Sequence, residues 1–132
     1  MHMGLLSGLK QRFTPTPEQL EANTLKKAEA LIASFSEKLA PFIHAGVNEK
    51  PEARRAFLRE IIANQVKYLD DTLRSFTTGS GPQSMINEKN DLEYLLFGLE
   101  QADNNKTLGE AIRTVKDRRR EKDYLTEALV KM

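Results

Sequence analysis

The sequence predicts an all-α protein, an antiparallel four-helix bundle with a short amphipathic amino-terminal segment, and three observations carry that expectation. Apolar residues recur in steps of three and four along most of the chain, the spacing of one helix face. Proline, glycine and capping residues punctuate the pattern at four places where helices can begin. The connections between long helical stretches are short, which favours antiparallel neighbours and an up-down-up-down order.

Met1-His2-Met3 reads as a cloning remnant ahead of a natural start at Met3. Residues 4–13 then form an amphipathic stretch, with Leu5, Leu6, Leu9 and Phe13 on one side and Lys10 and Arg12 flanking it. Two prolines in Thr14-Pro15-Thr16-Pro17 interrupt the chain, because each pushes its predecessor out of the α region. Residues 1–16 are accordingly assigned to an arm, and 17–132 to one helical domain.

Thr16 is a good N-cap, Pro17 suits the first helical position, and Gln19 completes a capping box. The first helix is expected from Pro17 to about His44, with Leu25, Ala28, Ile32, Phe35, Leu39 and Phe42 as its seam and Pro41 kinking or ending it. A second helix starts at Pro51, striped by Leu58, Ile62, Val66, Leu69, Leu73 and Phe76 and widened by Phe57 and Ile61. The loop Thr77-Thr78-Gly79-Ser80-Gly81-Pro82 ends it. The third helix is expected over Met85 to Ala102, capped by Asn87 or Asn90, with Leu92, Leu95, Leu96, Leu99 and Ala102 inward. Thr107-Leu108-Gly109-Glu110 has the form of a second capping box and opens a fourth helix that runs to the carboxyl end. The six phenylalanines, Phe13, Phe35, Phe42, Phe57, Phe76 and Phe97, are expected to supply the aromatic bulk of the core.

Length and composition bound the function. A chain of 132 residues holds one ordinary domain with a real core. Twenty Lys and Arg against 19 Asp and Glu leave a net charge of +1, so nucleic acid or anionic lipid would have to be met by a local patch. The absence of cysteine excludes disulfides, thiolate metal sites and cysteine nucleophiles. Only His2 and His44 are present, too few for a histidine cage, and His44 is placed at a helix end where an imidazolium favours the carbonyl dipole. With neither an apolar membrane span nor a signal peptide in the sequence, the expected location is cytoplasmic.

Catalytic chemistry is not expected. Glu88-x-x-Asp91 and Glu100-x-x-Asp103 each put two carboxylates on one helix face, but at opposite ends of one helix they cannot surround one ion. Asp91 is read instead as favouring the helix dipole. Gly79-Ser80-Gly81 lacks the lysine of a phosphate loop. No metal, cofactor or catalytic residue is therefore assigned.

The fourth helix carries the anomaly. Its seam, Leu108, Ala111, Ile112 and Val115, should next present Arg118, Arg119 and Lys122, and resumes only at Leu125 and Leu129. Three readings stay open: charged ends that snorkel to water, a helix that overshoots the bundle after about Asp117, or a phosphate-binding patch. Asp117, Glu121 and Asp123 intersperse the cations, and Arg113 can pair with Asp117 at i, i+4 spacing, which weakens the last.

The resulting expectation is a non-enzymatic interaction module, an adaptor, accessory subunit, chaperone or inhibitor, that binds another protein or a second copy of itself. Its contact residues would be Leu5, Leu6, Leu9 and Phe13 at one end and Tyr124, Leu125 and Leu129 at the other. Residues 4–13 could also support weak peripheral membrane contact. The alternative is a nucleic-acid-binding accessory protein that uses Arg113, Lys116, Arg118, Arg119, Arg120 and Lys122.

Overall fold

The structure, a computed structural model, describes residues 16–45, 50–76 and 82–131, with side chains described for 16–44, 50–76 and 82–121. Among these residues the chain forms five helices and no strand: α1 (Pro17–Phe35), α2 (Ala40–Ala45), α3 (Pro51–Arg74), α4 (Gln83–Glu100) and α5 (Lys106–Lys131). No helix among them is long and apolar enough to cross a membrane.

Local chemistry sets several boundaries as expected. Thr16 Oγ1 accepts the Gln19 N–H at 3.1 Å while Gln19 Oε1 accepts the Thr16 N–H at 2.9 Å, so the first capping box is complete. Pro51 occupies the first turn of α3, with Glu52 beside it at the positive end of the helix dipole.

Other boundaries differ. The first helix stops at Phe35, not near His44, and Ser36 turns extended at φ −120° and ψ 93°. Pro41 is the cause: in an uninterrupted helix its ring would clash with the carbonyl four residues back, at Glu37, so the chain breaks there and restarts as α2. Neither asparagine caps α4, which starts at Gln83 immediately after Pro82. Ala102 lies beyond the end of α4 and is exposed rather than inward. Thr107 is inside α5 and donates its N–H to the Asp103 carboxylate at 3.2 Å, so Asp103, not Thr107, satisfies the helix start.

The core is aliphatic. Leu25, Ile32, Leu58, Ile62, Leu92, Leu95, Leu99, Leu108 and Val115 are essentially fully buried. Among the described residues the expectation of a phenylalanine-rich core is overturned: Phe42, Phe57, Phe76 and Phe97 are exposed, and Phe35 is only partly buried against the core. Phe57 and Phe97 sit on their helices well away from the buried stripes marked by Leu58 and Ile62, and by Leu95 and Leu99.

α3 packs extensively on α4, and α4 on α5, while α1 touches both α3 and α5. Polar contacts fix the directions. At one end, Arg55 near the start of α3 reaches the Leu99 and Gln101 carbonyls at the end of α4, each at 2.9 Å. Toward the other, Asp70 of α3 pairs with Lys89 of α4 at 3.0 Å. α3 and α4 are thus antiparallel, and Asp91 with Arg118 and Arg119 sets α4 and α5 antiparallel in the same way.

α1 does not continue that alternation. Its Glu21 lies 3.6 Å from Arg55, and Lys38, just past its end, stands over the Tyr68 ring at 3.4 Å. Arg119 likewise covers Phe35, the last residue of α1. α1, α3 and α5 therefore run in the same sense and α4 in the opposite one, so the up-down-up-down order fails between the first two long helices. Between the end of α1 and the start of α3, the described part of the connection buries Leu39 and Ile43.

Candidate functional site

Two buried carboxylates hold the helices in place. Glu29 of α1 is 7 % exposed and forms an ion pair with Arg54 of α3. Asp91 of α4 is 4 % exposed, accepts from Arg118 at 3.2 Å and forms an ion pair with Arg119 at 3.0 Å. Arg119 also stacks 3.7 Å from the Phe35 ring centroid, and Arg118 stands 5.3 Å from that of Tyr94. The break in the α5 seam thus has a specific reason: its cations meet a carboxylate that α4 presents inside the packing. Asp91 lies in the third turn of α4, so the assignment to the helix dipole at a helix start is corrected.

Arg55 organises the opposite end. Its Nε and Nη2 donate to the carbonyls of Leu99, Gln101 and Gly98, and its Nη1 donates to Asn105 Oδ1. Within the last turn of α4 this side chain serves the Leu99 carbonyl and shares that of Gly98 with the Gln101 N–H, and it also holds the Gln101 carbonyl just past the helix end. Asn104 and Asn105 take φ of 57° and 65°, left-handed values that asparagine tolerates, and this sharp turn launches α5. The Thr107 hydroxyl donates to Asp103 and, with the Thr107 N–H, holds its carboxyl below the usual carboxylate range.

Beside this turn lies a cleft of about 770 Å³, walled by the first turn of α1, by Arg55 and Arg59, and by residues 99–105. Leu20 is half-exposed on its wall and Leu99 is buried at its base. Glu18, Glu21 and Glu100 line it as well. No group of three or more His, Cys, Asp and Glu side chains with metal-binding geometry occurs among the described residues.

Aromatic rings mark the outer surface. Phe57, Ile61 and Tyr68 share one face of α3 by spacings of four and seven, with Phe57 and Tyr68 exposed. Tyr94 and Phe97 lie one turn apart on α4, and Phe42 is exposed on α2.

The residues singled out from sequence fall unevenly. Arg113, Lys116 and Arg120 are exposed on one face of α5, whereas Arg118 and Arg119 are engaged with Asp91. No ion pair joins Arg113 to Asp117 among the described residues. The backbone of α5 continues through Lys122, Tyr124, Leu125 and Leu129, but their side chains lie outside the described set, as do Leu5, Leu6, Leu9 and Phe13. Helical spacing alone does not mark the exposed aromatic set, because it assigns Phe42, Phe57, Phe76 and Phe97 to the core. Arg55 was missed because its partners are 43 to 50 residues away in the chain.

No known family model, curated protein or solved structure matches this chain.

Proposed function

We propose that the chain is a non-enzymatic protein–protein interaction module built on a four-helix bundle, acting in the cytoplasm on another protein or a second copy of itself. Support for the bundle is the ring of neighbours: α1 on α3, α3 on α4, α4 on α5, and α5 on α1. The observation that carries the interaction reading is the inversion of aromatic and aliphatic residues. Large rings at Phe42, Phe57, Phe76 and Phe97 are exposed while leucine, isoleucine, alanine and valine fill the interior. Each half-exposed ring leaves on the order of 100 Å² uncovered, worth about 2 kcal/mol when a partner buries it. Aromatic side chains of this kind anchor protein interfaces. The final turns of α5 add to the reading, since that helix runs about 18 Å beyond Arg119, where α1 ends.

Phe57→Ser and Phe97→Ser test the proposal. Both rings are already partly covered, so each change should cost up to about 2 kcal/mol of folding stability, and circular dichroism checks that the variants remain folded. Light scattering over a concentration series, and co-purification from cells, should show self-association or a retained partner in the parent and its loss in the variants. A parent that stays monomeric and retains nothing the variants lose rejects the reading.

The second reading, nucleic-acid binding, draws on Arg113, Lys116 and Arg120, exposed on one face with no ion pair among the described residues. It predicts a mobility shift with single- or double-stranded probes that weakens steeply with salt and disappears when the three become alanine. No shift at low salt eliminates it.

A further inference from the structure

We infer that the cleft between the first turn of α1 and the 101–105 turn is the seat of this chain's own residues 4–13. This goes beyond the aromatic surfaces and does not rest on them. Three observations converge on that occupant.

The first is position. Pro17 forms part of the rim and Thr16 caps α1 there. Phe13 precedes Thr16 by three residues, a span of at most about 11 Å, so the segment is delivered to the mouth of the cleft by chain connectivity. As a helix its ten residues would extend about 15 Å, short enough to lie along this end of the molecule.

The second is apolar fit. Leu20 is half-exposed on the wall above Leu99, and the segment brings Leu5, Leu6, Leu9 and Phe13 at helical spacing. The third is charge. Glu18 and Glu100 stand on the walls with no cationic partner among the described residues, while the segment carries Lys10 and Arg12 and no acid. An anionic ligand fits the same walls poorly. Arg55 has every nitrogen committed to carbonyls or Asn105 and also pairs with Glu21, leaving Arg59 against Glu18 and Glu100.

The chain has no cysteine, so an introduced pair reports cleanly. In the full-length protein, Leu9→Cys is combined with Ala102→Cys on one wall and, separately, with Leu20→Cys on the other. Ser7→Cys, on the opposite side of the segment, is paired with the same two positions. Disulfide formation is followed by non-reducing electrophoresis and mass spectrometry. A tether alone gives both segment positions similar rates, because effective concentration is set by linker length. Docking by the apolar side makes the Leu9→Cys pairs close within one chain about tenfold faster than the Ser7→Cys pairs on at least one wall, since bridging needs Cα atoms within about 7 Å. Changing Glu18→Gln together with Glu100→Gln should slow that closure about threefold. Equal rates, absence of closure at both walls, or disulfides that join two chains each overturn the assignment, the last in favour of a second copy as donor. None of these results depends on whether Phe57 or Phe97 contacts a partner.

Discussion

Gly98 and Gly109 should respond to the same substitution with opposite signs. Gly98 is buried where α4 crosses α5, and a methyl group built there would sit 2.7 Å from the Leu108 Cα and 3.1 Å from its nitrogen. Carbon atoms in good contact stand about 3.5–4.0 Å apart, and both clashing atoms are backbone, so no rotamer change relieves them. The two helices must separate by close to 1 Å, at a cost of about 1–3 kcal/mol for overpacking. Alanine returns up to about 1 kcal/mol through its helix propensity, which leaves Gly98→Ala destabilising by about 1–2 kcal/mol. Gly109 lies on α5 with nothing within 4 Å of the added methyl. There Gly109→Ala should stabilise by about 0.5 kcal/mol, the propensity gain alone near a helix start. Urea titration monitored by circular dichroism measures both, and the difference corresponds to roughly 3–5 °C in Tm per kcal/mol at this chain length. A Gly98→Ala protein as stable as the parent would refute the close α4–α5 crossing and the packing built on it.

Three further outcomes follow from the polar contacts. Removing one member of the Glu29–Arg54 pair, as in Glu29→Met, should cost about 2–4 kcal/mol, whereas Glu29→Met with Arg54→Met should recover most of it. A double-mutant cycle in urea with no positive coupling contradicts the pairing. Asp103 titrates below its ordinary value of 3.8 because Thr107 donates to its charged form. A carboxyl depressed in the folded state contributes stability that is present above its unfolded pKa and lost as pH falls through the folded one. Acid titration from pH 5 to 2 should therefore show a destabilising limb below about pH 4 that shrinks in Asp103→Asn, and identical limbs would argue against the cap. Ser36 is fully buried, and its hydroxyl finds no hydrogen-bond partner among the described residues. Ser36→Ala should accordingly raise stability by up to about 1 kcal/mol in thermal melts, and a loss of 1 kcal/mol or more would mean that the hydroxyl is satisfied.

Legibility in the sequence tracked the range of the interaction. Thr16 with Gln19, and Pro51 at a helix start, were readable because both motifs are completed within one turn. Pro41 was recognised as a breaker, but its effect falls four residues upstream, so the end of the first helix was misplaced. The phenylalanines were misread because spacing defines a stripe about one-third of the helix circumference wide, and residues at its margin count as apolar whether or not a neighbour covers them. Phe57 and Leu58 are adjacent in sequence yet face directions 100° apart. Asp91 carried a signal that was available: it stands four residues before Leu95, on the inward face of α4. A carboxylate in one seam and two arginines interrupting the next are complementary irregularities, and together they give the pairing of α4 with α5 that each alone leaves open. The cleft had no such signature, because its walls come from α1, α3 and the 101–105 turn.

The parallel course of α1, α3 and α5 has an electrostatic consequence that simple alternation would lack. Three helix amino termini, each equivalent to about half a positive charge, gather at the cleft end, against one carboxyl terminus from α4. Acidic residues stand there: Glu18 in the first turn of α1, Glu52 in that of α3, and Asp103 before α5. Arg55 answers the single opposing dipole by donating to the last carbonyls of α4. The charge pattern and the helix directions are thus mutually consistent, although the dipoles fix neither alone. The return segment between Ser36 and Lys50 is what permits this arrangement, since a tight turn after Phe35 would have sent α3 back alongside α1 in the opposite sense. Pro41 is incompatible with a helix continued unbroken from Phe35, and the length of chain between Ser36 and Lys50 allows α3 to start at the same end as α1.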